Sequence, residues 1–180
     1  ATRVNADGNI EKETQNLLSY SNTFSNSYWT KNGSTITGGQ SGYDGSSDAW
    51  LLQSSIVGNA RIEEFITSDV STFSLYAKAG NVNWIWLSDG TADVYFDLQN
   101  GVKGTQTGGI EASIEQVGAA GWYRVSLVSV SRTSVRVYPA QSDTGNSVVG
   151  SNIYIQDAQL EQSLVARDYI ETTTTALYGG

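Results

Sequence analysis

Two tryptophans, Trp84 and Trp86, stand two residues apart in the sequence, with Ile85 and Leu87 in the alternate positions. Successive side chains of a β-strand point to opposite faces, so a strand here puts both indoles on one face and both aliphatic residues on the other. The aliphatic pair suits an apolar interior better, because a buried indole N–H needs a hydrogen-bond partner. Outward indole rings could then stack on the C–H face of a sugar, with planar polar groups beside them binding its hydroxyls.

The same two-residue alternation recurs in runs at 93–98, 123–130, 134–138 and 152–156. In each run the aliphatic residues alternate with aromatic or polar ones, which predicts a strand with one buried face. If these strands share one sheet, their outward side chains form a single surface. The predicted carbohydrate-binding residues on that surface are Trp84, Trp86, Tyr95, Asp97, Arg124, Arg136, Tyr138, Tyr154 and Gln156.

A structural role for the same tryptophans stays open, because loops over a sandwich can bury both faces of a strand. Trp84 or Trp86 would then fill a second small core. We expect the remaining tryptophans, Trp29, Trp50 and Trp122, to be core or edge packing residues.

Several kinds of catalysis are excluded by residue content. The chain has no His and no Cys, which rules out Ser-His-Asp triads, thiol nucleophiles and zinc sites of the usual kind. A glycosidase needs two carboxylates about 5 to 9.5 Å apart, whereas the acidic residues here are scattered and form no catalytic motif. We therefore expect no enzymatic activity.

The net charge of −8 and a pI near 4.3 argue against nucleic acid and anionic membranes, since both require a basic surface. No stretch approaches the roughly 20 apolar residues of a membrane helix, and no secretory signal begins the chain. Because the sequence contains no Met, we expect a processed product or part of a longer protein.

Nineteen Gly, a single Pro and many Ser, Thr and Tyr favour short strands joined by tight turns. Strands at roughly ten-residue spacing predict an all-β fold, an antiparallel β-sandwich of the jelly-roll type. No segment has a convincing helical period. The polar start predicts an arm or linker over residues 1–15. The alternating runs lie in a predicted jelly-roll domain over 16–171, and the Thr-rich end predicts a linker over 172–180.

Several short sequence phrases, from the opening at residues 1–5 onward, occur in an order that resembles one known family. The chain is similar to a jelly-roll domain, itself like carbohydrate-binding modules, found in tail or virion structural proteins of bacteriophages and prophages. The phrases lie at residues 16–26 with Trp29, 73–80, 95–101, 121–126, 153–161 and 168–172.

This resemblance implies a non-catalytic module of a virion or extracellular protein that binds a polysaccharide or cell-surface glycan. It implies membership of a homo-oligomer or of a larger virion protein, and no required cofactor. Related modules hold a structural calcium ion, with an acidic residue near the first strand and a ligand from the last strand. Here Ser25, which follows Phe24, stands at the first of these positions, and Asp157 stands at the second. The resemblance therefore implies a structural calcium ion with Asp157 as the one acidic ligand that matches.

Two other functions compete with glycan binding. The domain could be a structural spacer or an oligomerisation domain of a tail fibre, with its aromatic face covered by a neighbouring chain. It could also be a polysaccharide lyase or hydrolase using Tyr and Arg, although the sequence offers no base paired with an orienting group.

Overall fold

A computed structural model describes residues 2–4, 6–8, 10–12 and 15–178. Two short strands near the start, β1 (Thr2–Val4) and β2 (Ile10–Lys12), pair as an antiparallel hairpin within the predicted arm. The rest forms two six-stranded antiparallel sheets packed face to face, so the predicted β-sandwich is confirmed. Within the described part of the chain there is no helix, and hence none able to cross a membrane.

The first of the two large sheets, here called the front sheet, contains the tryptophan pair on β8. Its strands in spatial order are β10 (Val102–Thr107), β9 (Asp93–Asp97), β8 (Trp84–Ser88), β13 (Arg132–Ala140), β6 (Arg61–Ser68) and β3 (Thr30–Asn32).

The second large sheet, here called the back sheet, faces it across the core. Its strands in spatial order are β11 (Glu111–Val117), β12 (Trp122–Ser129), β7 (Ser71–Ala79), β14 (Asn152–Glu161), β5 (Ala49–Ser54) and β4 (Ser34–Gln40). From β3 to β14 the chain crosses between the two sheets seven times, and only β4–β5, β8–β9–β10 and β11–β12 are neighbours in sequence that stay in one sheet.

The core lies between the sheets and is built by the inward residues of the alternating runs. Ile85 and Leu87 on β8 are fully buried, as are Val94 and Phe96 on β9, which confirms the predicted inward face. Burying a side chain of this size contributes about 1.5–3 kcal/mol each. The back sheet supplies the opposing half of this core, including Phe73, Leu75, Val125, Leu127, Ile153 and Ile155.

The two ends of the domain are joined through Asn16, which is fully buried. Its backbone N–H and C=O both bond to Leu177, at 2.8 Å each. Its side-chain amide donates to the carbonyls of Ala158 and Ile170, and its Oδ1 accepts from the N–H groups of Leu18 and Leu160. One side chain therefore ties the domain entry to β14 and to the C-terminal segment.

The segment predicted as an exit linker runs back along the entry to the domain as far as residue 178. Thr172 is buried, its N–H donates to Ser21 Oγ, and its hydroxyl donates to the carbonyl of Leu18. Tyr20 donates its N–H to the carbonyl of Thr173 at 2.7 Å. Residues 172–178 thus pack on the domain.

Replacing Asn16 with alanine should lower the free energy of unfolding by about 2–4 kcal/mol, because four buried backbone groups lose their partner at once. Chemical denaturation followed by tryptophan fluorescence measures this change. The matched control is Asn146→Ala, at an exposed position, which should stay within about 0.5 kcal/mol of the parent. A loss below about 1 kcal/mol for Asn16→Ala would contradict the tie described here.

Candidate functional site

The predicted binding residues lie on two opposite surfaces of the sandwich. The strands do not share one sheet, because β12 and β14 belong to the back sheet. Arg124, Tyr154 and Gln156 therefore lie on the outer face of the back sheet. The front sheet carries on its own outer face the other six, which are Trp84, Trp86, Tyr95, Asp97, Arg136 and Tyr138.

Strand register brings three of the front-sheet aromatics into direct contact. Trp86 is paired with Tyr138 on β13 and with Tyr95 on β9. The Trp86 and Tyr138 rings stack with centroids 3.7 Å apart and planes 11° apart, and Tyr95 stacks on Trp86 at 5.3 Å and 21°. We call Tyr95, Trp86 and Tyr138 the aromatic row. The guanidinium of Arg61 extends it, 5.7 Å from the Tyr138 ring centre.

The aromatic row exposes little flat ring surface. Trp86 has a tyrosine on either side, and its Nε1 donates to Asp93 Oδ1 at 2.8 Å. Tyr95 and Tyr138 are only 8% and 3% exposed. Burial, with the negative charge of Asp93 next in effect, raises the pKa of Tyr95 to about 12. Because both tyrosines are nearly buried, the row presents to solvent mainly the partly exposed edge of Trp86.

Trp84 has a different environment from Trp86, although both are half-buried on the same face. Its strand neighbours are Ala140 and Asp97, so no aromatic ring is paired with it. A Cβ placed on Gly104 would come within 2.6 Å of Trp84 Cζ3, so the indole reaches across β9 to the glycine on β10. The absence of a side chain at Gly104 is what leaves room for this ring.

A loop forms a wall beside Trp84. Asp143, in the connection between β13 and β14, accepts hydrogen bonds from the N–H and the hydroxyl of Thr105, both at 2.9 Å. The hypothetical Gly104 Cβ would also lie 2.7 Å from Asp143 Oδ1, which places this carboxylate next to the indole. Trp84, Asp143 and the edge of the aromatic row together form the candidate site.

Two of the predicted polar contacts are already engaged within the fold. Asp97 accepts hydrogen bonds from the N–H groups of Gln99 and Asn100 and from the Asn100 side chain, so it closes the turn after β9. Arg136 lies 3.2 Å from the buried carboxylate of Glu63, which also pairs with Arg61 at 3.0 Å. These groups hold the sheet in place rather than standing free.

Sequence reasoning missed the contributions of Arg61, Asp93, Gly104 and Asp143 to this surface. Asp93 begins one of the alternating runs, so the two-residue period was the available signal for it. The strand that begins at Arg61 does not alternate, since Glu63 and Glu64 are adjacent, and gave no such signal. Gly104 and Asp143 carry no local signal, since each matters only because a segment distant in sequence folds against it.

On the back sheet, the predicted residues lie beneath or beside covering loops. Gln156, 1% exposed, accepts the Tyr43 N–H and donates to Asp44, so it is covered by the loop 41–48. Arg124 donates to Ser74 Oγ and to the carbonyl of Arg167. Tyr154 is half-buried beside Lys78, Gln40 and Ser41.

The other three tryptophans are packing residues, as predicted. Trp29 is 1% exposed and contacts Phe24 edge to face, with ring centres 5.2 Å apart. Trp122 is 2% exposed and lies against Tyr43 on the outer side of the back sheet. Trp50 is half-buried and packs against the edge of the core.

Asp157, the predicted calcium ligand, lies at a bulge in β14 with a φ of 54°. Its Oδ2 accepts a hydrogen bond from the Tyr43 hydroxyl at 2.7 Å. Burial raises its pKa to about 6, and the nearby charges of Asp44 and Glu171 add to this rise. Among the described residues, no group of three or more His, Cys, Asp or Glu side chains is placed to hold a metal ion. A calcium ion at Asp157 stays a prediction.

Removing the Asp157 charge should change how stability depends on pH. A carboxyl with a raised pKa binds its proton more tightly in the folded state, so its contribution to stability declines as pH rises from about 4 to about 6. We expect Asp157→Asn to gain about 1–2 kcal/mol over the parent between pH 4 and pH 7, measured by urea denaturation. Asp69→Asn, which removes one exposed charge, is the matched control. A difference independent of pH would contradict the assignment.

No protein-family profile matches the chain, and no curated protein gives a significant match.

Proposed function

We propose that this protein is a non-catalytic carbohydrate-binding module that binds a polysaccharide on the outer face of the front sheet. The observation that carries the proposal is the environment of Trp84, a half-buried indole with no aromatic partner that packs on Gly104 close to Asp143. Sugar rings bind to such sites because their C–H faces are apolar and their edges are polar.

In the proposed mode, one sugar ring stacks on Trp84, and the next unit along the chain lies over the aromatic row. Asp143 accepts a hydrogen bond from a hydroxyl of the stacked sugar. The phenol of Tyr95 stays protonated, because burial and the charge of Asp93 raise its pKa to about 12, and in the proposed mode it donates to a sugar hydroxyl at the edge of the row. Trp86 contributes its edge and supports the row from within.

The affinity of one such site for a short glycan should be weak, in the millimolar to micromolar range of about −4 to −8 kcal/mol. Useful attachment then requires several copies, which raise the effective concentration of the sites. This requirement fits the resemblance to domains of phage tail and virion proteins. We accordingly propose a virion or extracellular location, within a homo-oligomer or a larger virion protein.

The proposal includes the absence of catalysis. The front-sheet carboxylates are engaged, since Asp93 binds Trp86 Nε1 and Asp97 closes its turn. Neither is presented as one of two free carboxyls flanking a ligand, the arrangement that glycoside hydrolysis needs. Incubation with a bound polysaccharide should release no reducing ends.

A structural spacer or oligomerisation domain is the second candidate, and one observation favours it. The faces of Trp86 are covered by Tyr95 and Tyr138, themselves nearly buried, so the row also serves as packing. In that case the domain binds no glycan, and a neighbouring chain covers Trp84.

A glycan array followed by calorimetric titration separates the two candidates. Trp84→Ala should weaken binding at least about tenfold, because it removes the open ring and roughly 1.4 kcal/mol or more of contact. Trp86→Phe keeps a stacked row and should bind within about threefold of the parent. The matched control, Tyr154→Ala, alters the opposite outer face and should bind normally.

The alternatives give different outcomes in the same experiment. Binding that survives Trp84→Ala would place the site elsewhere on the molecule. No binding to any arrayed glycan would favour the spacer, and release of reducing ends would indicate an enzyme.

A further inference from the structure

A second feature lies on the outer face of the back sheet, where the chain leaves β14. The loop 162–168 is held there by buried polar groups. The carboxylate of Glu161 is fully buried. It accepts hydrogen bonds from the side-chain Nε of Arg167 at 2.8 Å and from the backbone N–H of Arg167 at 2.9 Å. Gln159, also fully buried, donates to the carbonyls of Arg167 and Asp168.

Two further strands fix the same loop. On β7, the Thr72 hydroxyl donates to the carbonyl of Ser163 at 2.7 Å. On β12, Nη2 of Arg124 donates to the carbonyl of Arg167 at 2.6 Å, while its guanidinium lies over Tyr76. The loop is therefore hydrogen-bonded to the sheet at both ends.

The tip of this fixed loop carries exposed apolar side chains. Leu164 is 58% exposed and Val165 is 62% exposed. Two adjacent apolar side chains on a loop that is hydrogen-bonded to the sheet form a small apolar patch at the side of the groove described next.

A groove of about 220 Å³ runs between this tip and the outer residues of β11 and β12. One wall is apolar, formed by Leu164, Val165 and Ala166. At the middle of the floor, the hydroxyls of Ser113 and Ser126 bond to each other at 2.7 Å. The cross-strand pairs on either side are Glu111 with Val128 and Glu115 with Arg124.

We propose that this groove is a binding site for a neutral, hydroxylated ring, a sugar of about one unit. The apolar wall suits the C–H face of such a ring, and the serine pair keeps one hydroxyl hydrogen and its remaining lone pairs for ring hydroxyls. Exposed Glu111 and Glu115 accept from hydroxyls at the rim. The single cation of the lining, Arg124, already donates to Ser74 and to the Arg167 carbonyl, so the two carboxylates outweigh it and an acidic sugar is disfavoured. The volume lies below the usual range for drug-sized ligands of roughly 300–1,000 Å³, which limits the ligand to a single ring.

The groove is independent of the front-sheet site, because the two lie on opposite outer faces. The stretch of polysaccharide that binds at Trp84 cannot also occupy the groove. The groove therefore adds a separate site for a small sugar or a chain end. Its existence does not depend on the proposed function of Trp84.

The test is chemical-shift mapping of the whole chain with the methyl glycosides of glucose, galactose, mannose and N-acetylglucosamine, and with methyl glucuronide. At least one neutral probe should give saturable shifts in the amides of Ser113, Ser126 and Ala166. Methyl glucuronide should bind at least about tenfold more weakly than that probe, because of the rim carboxylates.

Variants locate the site. Ser126→Val should weaken binding of the neutral probe about tenfold, because it removes a floor hydroxyl. Leu164→Ser changes only an exposed tip residue, so it keeps the fold and should also weaken binding several-fold. Trp84→Ala should leave these shifts unchanged. Thermal unfolding of each variant confirms that it is folded.

Three results would overturn the inference. One is the absence of saturable shifts at the groove with every neutral probe. Another is shifts confined to the surroundings of Trp84, which would support the front-sheet site alone. Tighter binding of methyl glucuronide than of the neutral probes would also contradict the stated ligand class.

Discussion

The register of β8 against β13 and β9 is the constraint on which the front face depends. It places Trp86 between Tyr138 and Tyr95 and at the same time directs Ile85 and Leu87 into the core. Because side chains alternate, a slip of one residue would exchange the two faces, putting indoles inside and aliphatic groups in water. Core burial and aromatic stacking therefore select the same register, and each reinforces the other.

The outer faces of the two sheets are covered by different parts of the chain. On the front, stacked rings and the Arg61, Glu63 and Arg136 charges cover the sheet using its own side chains. On the back, the loops 41–48 and 162–168 lie over the strands and are held by buried polar groups such as Gln156 and Glu161. Breaking such a buried network by removing one partner is costly, so these loops are rigid parts of the fold.

Alternation along single strands was sufficient to predict the sandwich and the inward residues, because period two is a local property of the chain. It could not assign strands to sheets. Because the chain crosses between layers, β12 and β14 belong to the back sheet. Arg124, Tyr154 and Gln156 therefore do not lie on the predicted surface with the other binding residues. The contact of Asp143 with Thr105 joins segments 38 residues apart, and the left-handed backbone of Asp157 follows from a bulge, so neither had a local signature.

Trp84 and Trp86 look equivalent in sequence, and their difference arises on neighbouring strands. Trp86 meets a tyrosine on each side, whereas Trp84 meets Ala140, Asp97 and, beyond them, Gly104. The irregular register of β10 at this glycine and the Asp143 contact to Thr105 hold the indole in place before any ligand arrives. A ring that is already ordered loses little side-chain entropy on binding, which costs about 0.5–1.5 kcal/mol for a mobile side chain. In the proposed glycan site, which would act in several copies, this saving would apply at each copy.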